Sequence, residues 1–175
     1  VYGHSCDLEG IQKVAAAHGL KVIYDGAHAF GSRIDEIPLL ANGDLAVCSF
    51  HATKLFHTVE GGCVVARDEE TAKKVLLMRS FGHIGEDDYY CVGINGKNSE
   101  VHAAMGLTIR QRVECLIYRR RLISERYDRE FSSADLVFPR KSEKLDYNYA
   151  YYPVIFHSEA QLLAVREALN RNGIF

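Results

Sequence analysis

Three short stretches of this sequence carry side chains suited to chemistry. In the first, Asp25-Gly26-Ala27-His28-Ala29-Phe30-Gly31, a carboxylate closes an apolar run and is followed by small residues and a histidine. In the second, Ser49-Phe50-His51-Ala52-Thr53-Lys54, a lysine sits among hydroxyl, imidazole and small groups, and in the third, Glu60-Gly61-Gly62, a tight turn leads into another apolar run. A lysine near a strand end is ordinarily a solvated surface residue. Its neighbourhood gives this one weight, because one strand away stands Asp25, a carboxylate with no adjacent Arg to pair with it. An amine that can hold an aldehyde as a Schiff base, beside a carboxylate that keeps a pyridine nitrogen protonated, is the combination that pyridoxal 5'-phosphate (PLP) chemistry requires. The nearby pyridinium in turn keeps the carboxylate ionised.

Alternating helices and strands must position these groups. Asp7 reads as an N-cap, Leu8, Ile11, Val14 and Ala15 recur at helical spacing, and His18-Gly19 supplies a stop. Lys21–Asp25, Asp44–Ser49 and Gly62–Ala66 are nearly all apolar and too short for helices, which predicts buried strands. Asp68, with Glu69 and Glu70 behind it, opens a helix expected to reach about Arg79. A loop rich in Gly, Asp and Tyr spans Phe81–Asn98, and Ser99 then caps one long helix predicted to extend to about Phe131. Polar, turn-like stretches follow at Ser132–Asp135 and Pro139–Asp146, Tyr149–Phe156 reads as a strand, and Ser158 with Gln161 forms a capping-box pattern for a last helix ending at Gly173. This pattern predicts an α/β fold with its ligand at the carboxyl ends of the strands. It divides the chain into residues 1–131, part of a large α/β domain with its connecting helix, and residues 132–175, the start of a smaller α+β domain.

Composition narrows the function classes. At 175 residues the chain can fill one domain core, or one domain and part of a second. It is 47% hydrophobic and 25% charged, with no apolar run long enough to cross a bilayer, so the expected location is cytoplasmic. The net charge of -2 steers it toward neither nucleic acid nor membrane. The five cysteines lack a C-x-x-C pair and read as reduced, with Cys48 and Cys63 packing as small hydrophobes. Val1 at one end, and Asn172–Phe175 just past a helix-ending glycine at the other, read as an internal piece of a longer protein.

The three motifs, with Gly93-Ile94-Asn95-Gly96-Lys97-Asn98-Ser99-Glu100 and Ala103-Ala104-Met105-Gly106, resemble the DegT-type sugar aminotransferases of the fold-type I PLP enzymes. The resemblance is dense from Val1 to Leu107 and thin beyond. It implies the three-layer, aspartate aminotransferase-like fold, with Lys54 as Schiff-base lysine and proton shuttle, Asp25 as partner of the pyridine nitrogen, His28 against the cofactor ring and Ser49 on its phosphate. Asn95 matches the asparagine that reaches the neighbouring subunit's cofactor phosphate, which implies a homodimer with shared active sites. Lys97 stands where the family usually has Arg, and Asn98 where it has an apolar residue. The implied reaction moves an amino group from glutamate to a nucleotide-linked keto-deoxysugar, with a dTDP-4-keto-6-deoxyhexose or its 3-keto isomer as the closest match for substrate.

Two other classes compete. Asp25, His28, His51 and His57 offer a carboxylate and imidazoles to a hydrolytic metal, although that reading leaves Lys54 unused. A non-catalytic sensor or binding homologue has no chemical reason to keep Lys54, Asp25, Ser49 and Asn95 together. Arg119-Arg120-Arg121 reads as a solvated helix face, and Tyr147, Tyr149, Tyr151 and Tyr152 as strand and interdomain packing.

Overall fold

The computed structural model describes residues 1–139 and 142–175. Positions 140 and 141 of the polar Pro139–Asp146 stretch therefore lie outside the described residues.

The chain opens with α1 (Leu8–His18), where the Asp7 carboxylate accepts the Gly10 N–H and Gly19, at φ 62°, closes the last turn. The strand β1 (Ile23–Asp25) starts two residues later than the apolar run suggests. Asp44 is the cause: its carboxylate takes the Val22 N–H at 2.9 Å and the Lys21 ammonium at 2.8 Å, holding both outside the ladder. Two short strands, β2 (Arg33–Ile34) and β3 (Ile37–Pro38), and a 3₁₀ turn over Leu39–Ala41 lead into β4 (Leu45–Ser49) and then β5 (Gly62–Ala66). β4 runs parallel to β1 and antiparallel to β5, giving the sheet order β1-β4-β5. The helix α2 (Glu69–Met78), capped by Asp68 through the Thr71 N–H, packs on β5.

These strands are not buried on both faces. Ala46 and Cys48 are 1% exposed, but the alternate positions Val47 and Val64 are each 43% exposed. Apolar residues on both faces predict burial of both, yet on the Val47–Val64 side α2 covers the sheet incompletely and leaves a groove of about 510 Å³.

The Phe81–Asn98 loop contains a hairpin, β6 (His83–Ile84) with β7 (Asp88–Tyr89). The single helix expected from Ser99 is two: α3 (Glu100–Arg110), capped by Ser99, and α4 (Val113–Glu130). At the break the Arg112 N–H bonds to the Ile109 carbonyl at i−3, a tightened turn, and the Leu116 N–H returns to Arg112 to restart the α pattern. Neither Gly nor Pro marks this point, although β-branched Thr108, Ile109 and Val113 surround it.

β8 (Leu145–Asp146) pairs antiparallel with β2, completing a small sheet β3-β2-β8 that joins an early and a late part of the sequence. Residues 149–156 form no ladder: Tyr149 is left-handed, at φ 52°, and the segment's one bridge pairs Val137 with Ile155. The tyrosines there have high strand propensity, yet side chains rather than a ladder fix the segment: the Tyr151 phenol reaches back to His28 and the Tyr152 phenol donates to Asp128. The last helix, α5 (Glu159–Arg171), is capped by Ser158 through the Gln161 N–H, and the Gln161 side chain accepts the His157 N–H. Among the described residues no helix is long and apolar enough to cross a membrane.

Candidate active site

Because β1 and β4 are parallel, their carboxyl ends lie at the same edge, with Asp25 beside Val47 and Ser49 further along β4. The Gly26 N–H extends the ladder by one bond to the Val47 carbonyl, 2.8 Å, before the chain turns away. A Cβ on Gly26 would lie 2.4 Å from Leu40 Cδ2 and 3.1 Å from the Val47 oxygen, so any side chain there must displace Leu40. The turn ties back to Asp25, whose Oδ1 accepts the Ala27 N–H at 3.0 Å.

Lys54 lies on a loop closed at its base. The Phe50 N–H bonds to Gly61 O at 2.8 Å and the Thr58 N–H to Phe50 O at 2.9 Å, while the Thr58 hydroxyl donates to Glu60 O at 2.6 Å. Inside the loop the Lys54 N–H bonds to His51 O at 2.9 Å, and Ser49 Oγ accepts the His51 N–H at 3.3 Å. Gly61, at φ 150°, would place a Cβ 2.3 Å from Thr58 Oγ1, which explains the Glu-Gly-Gly turn. Beneath this loop Phe30 stacks on Phe56 at 4.5 Å, and Phe50 meets Phe56 edge-on at 4.8 Å. The cluster joins the Lys54 loop to the His28 turn, and α3 presses against it through Gly106, where a Cβ would come within 2.8 Å of Thr58 Cγ2. Reading for chemistry passed over these aromatics; three phenylalanines near paired strand ends were the available signal.

His28 is half-buried. Its Nδ1 accepts the Tyr2 N–H at 3.1 Å and its Nε2 lies 3.3 Å from the Tyr151 hydroxyl, with the Tyr2 and Tyr151 rings at 6.1 and 4.6 Å. Burial lowers its proton affinity, as does the Lys54 ammonium, against an opposing effect of Asp25. The charges of Lys54 and Asp25 therefore both act on the imidazole. Asn95 stands apart: it is exposed, bridges to Ser80 and accepts a hydrogen bond from the Lys97 ammonium, which also lies 4.1 Å over the Phe81 ring.

The metal alternative is not assembled. Among the described residues no group of three or more His, Cys, Asp or Glu side chains could hold an ion. His28 has both nitrogens engaged, and His51 Nδ1 accepts the Thr53 N–H at 3.2 Å.

The DegT/DnrJ/EryC1/StrS aminotransferase family model matches residues 1–175. The chain belongs to this family. Among curated relatives it is 38% identical over 165 residues to the dTDP-4-amino-4,6-dideoxy-D-glucose transaminase of Shigella dysenteriae, covering 92% of this chain and 44% of that protein. It is 30% identical to the UDP-4-amino-4,6-dideoxy-N-acetyl-beta-L-altrosamine transaminase of Helicobacter pylori, covering 98% and 48%. Among solved structures, DesI in the presence of its TDP-sugar product superposes with a TM-score of 0.85 at 31% identity, covering 95% of this chain and 44% of that one. The chain thus spans about half the length of the curated relatives it matches. The fold is that of the PLP-dependent sugar aminotransferases, and the family's cofactor is PLP.

The residues of this family member suit that cofactor. Asp25 has one oxygen held by its own turn and the other without a hydrogen bond among the described residues, at an exposed strand end. Lys54 is a half-buried amine on a stapled loop, and Ser49 supplies a hydroxyl at the same edge. Gly26 and Gly61 keep the backbone beside them free of side chains.

Proposed function

We propose that this chain forms part of a PLP-dependent aminotransferase that moves an amino group from glutamate to a nucleotide-linked keto-deoxysugar. A dTDP-4-keto-6-deoxyhexose or its 3-keto isomer is the substrate class favoured. The observation that carries the reading is the placement of Lys54, on a loop stapled beside the strand end that bears Asp25. The substrate assignment is supported by the Shigella dysenteriae transaminase, whose name specifies a dTDP-linked 4-amino sugar.

When bound, PLP supplies an aldehyde that links to amines and a ring that draws electrons from the bonds of the linked carbon. In this reading Lys54 Nζ would hold the aldehyde and, when free of it, would carry the proton between the substrate carbon and the cofactor. Asp25 would hold the proton on the pyridine nitrogen. Ser49 Oγ would donate to the phosphate, and His28 would line the ring's site. Asn95, whose contacts among the described residues do not reach Lys54, serves the cofactor phosphate of a second copy, which makes the enzyme a homodimer; its expected location is the cytoplasm. Residues 1–131 belong to the large domain and 132–175 open the small one, with the β2–β8 pairing bridging the boundary.

The deciding experiment is borohydride reduction of the full-length, PLP-loaded protein followed by peptide mapping. The label is expected on Lys54. Labelling of another lysine, or of none, overturns the assignment.

A further inference from the structure

The segment Tyr147–Tyr151 lies far from His28 in sequence and against it in space. Asn148 is 1% exposed, and a buried carboxamide must find partners for its donors and acceptor. Its two amide protons go to the carbonyls of His28 and Phe30, each at 2.8 Å, its Oδ1 accepts the Ala150 N–H at 3.0 Å, and its backbone N–H donates to buried Ser32 Oγ at 3.3 Å. The carboxamide thus clamps both ends of the turn that carries the His28 side chain. The Tyr147 hydroxyl lies 2.7 Å from Tyr2 O and 2.9 Å from Tyr151 O, fixing the two residues that flank the imidazole.

The hydrogen bonds also choose the tautomer. Nδ1 faces the backbone N–H of Tyr2 and must present its lone pair, so the neutral ring carries its proton on Nε2. The Tyr151 oxygen, 3.3 Å away, accepts that proton, and the phenol's own proton is left to donate outward. We propose that Tyr151 and Asn148 are positioning residues for His28, the phenol holding the Nε2–H edge of the imidazole and the carboxamide holding the turn beneath it. The second part of the chain thereby sets the geometry of a side chain in the cofactor site, and this function of the contact rests on the reading of that site given above.

The test is ¹⁵N NMR of the His28 imidazole in cofactor-free, full-length protein, wild type against Tyr151→Phe. The wild type is expected as the neutral Nε2–H tautomer. Tyr151→Phe should shift the Nε2 resonance and admit the Nδ1–H form, with kcat lowered about five- to tenfold, the scale of one lost hydrogen bond, and KM for the amino donor within about twofold. Asn148→Asp, which sets a carboxylate against the two carbonyls, should lower PLP affinity more than about tenfold at unchanged secondary structure. An Nδ1–H wild type, or imidazole signals that Tyr151→Phe leaves unmoved while only thermal stability falls, overturns the positioning role. The borohydride label, read on the same preparation, decides the role of Lys54 separately, because the imidazole measurement needs no cofactor.

Discussion

The loop that carries Lys54 and the loop that carries Asn95 are both tied down by backbone hydrogen bonds but differ in what packs against them. Around Lys54 the backbone is stapled at the loop base, Phe30, Phe50 and Phe56 pack beneath it, and Gly106 lets α3 press against it. Around Asn95 the backbone is also tied, by Ile94 and Gly96 to the end of α2 and to Phe81, but the residues are exposed and, among the described residues, the Asn95 side chain bonds only to the Lys97 ammonium. A group that works inside its own subunit is best immobilised by its own chain, whereas a group that works in a neighbour must stay accessible until the neighbour arrives. The contrast is what a shared active site requires of each copy.

The largest effect is expected from chemistry on the immobilised side. Asp25→Asn keeps the shape of the strand end and the Ala27 N–H contact but removes the charge, so the fold should survive while transamination falls by about 10²- to 10³-fold, the scale of losing one preorganised electrostatic partner. Near-normal turnover would remove Asp25 from its electronic role.

Packing changes on the same side come next. Phe56 is 9% exposed and touches both other phenylalanines, so Phe56→Ala should destabilise the full-length protein by about 3–5 kcal/mol in urea unfolding. Loss of stability with undiminished PLP retention would show that the aromatics hold the fold without setting Lys54. Gly106→Ala introduces a Cβ 2.8 Å from Thr58 Cγ2, and overpacking of that kind costs about 1–3 kcal/mol. A variant as stable as wild type would mean that α3 can shift away from the Lys54 loop.

How much of this was legible in the sequence depends on the range of the interaction. Asp7, Asp68, Ser99 and Ser158 each accept an N–H three residues on, so the helix starts they mark were readable locally. The break at Gln111–Arg112 had no such marker. Strand periodicity located β4 and β5, but it also suggested a ladder over Tyr149–Phe156, where the backbone makes one isolated bridge and the Tyr151 and Tyr152 phenols bond to His28 and Asp128. The small sheet pairs Arg33 with Asp146, and the Tyr151–His28 contact spans 123 positions, so neither leaves a local pattern. Asp25 and Lys54 could be singled out because both follow short apolar runs among small residues; the phenylalanines that hold Lys54's loop looked like any other core.

The smallest effect on this chain's own stability, and the sharpest test of the contrast, belongs to Asn95. Because it is exposed and, among the described residues, its side chain bonds only to Lys97, Asn95→Ala should change unfolding stability by no more than about 0.5 kcal/mol. If it serves a neighbour's cofactor, the same change should weaken PLP binding in the homodimer, measured by fluorescence titration. Mixing settles whose site it serves. Subunits bearing Lys54→Ala and subunits bearing Asn95→Ala each lack one component, and in a heterodimer both defects fall on the same site when Asn95 acts across the interface. The other site then keeps an intact Lys54 and an intact Asn95, so unfolding and refolding the two together should restore activity that neither shows alone. If Asn95 acts within its own subunit, the defects fall on different sites and mixing restores nothing, which would break the contrast between the two loops.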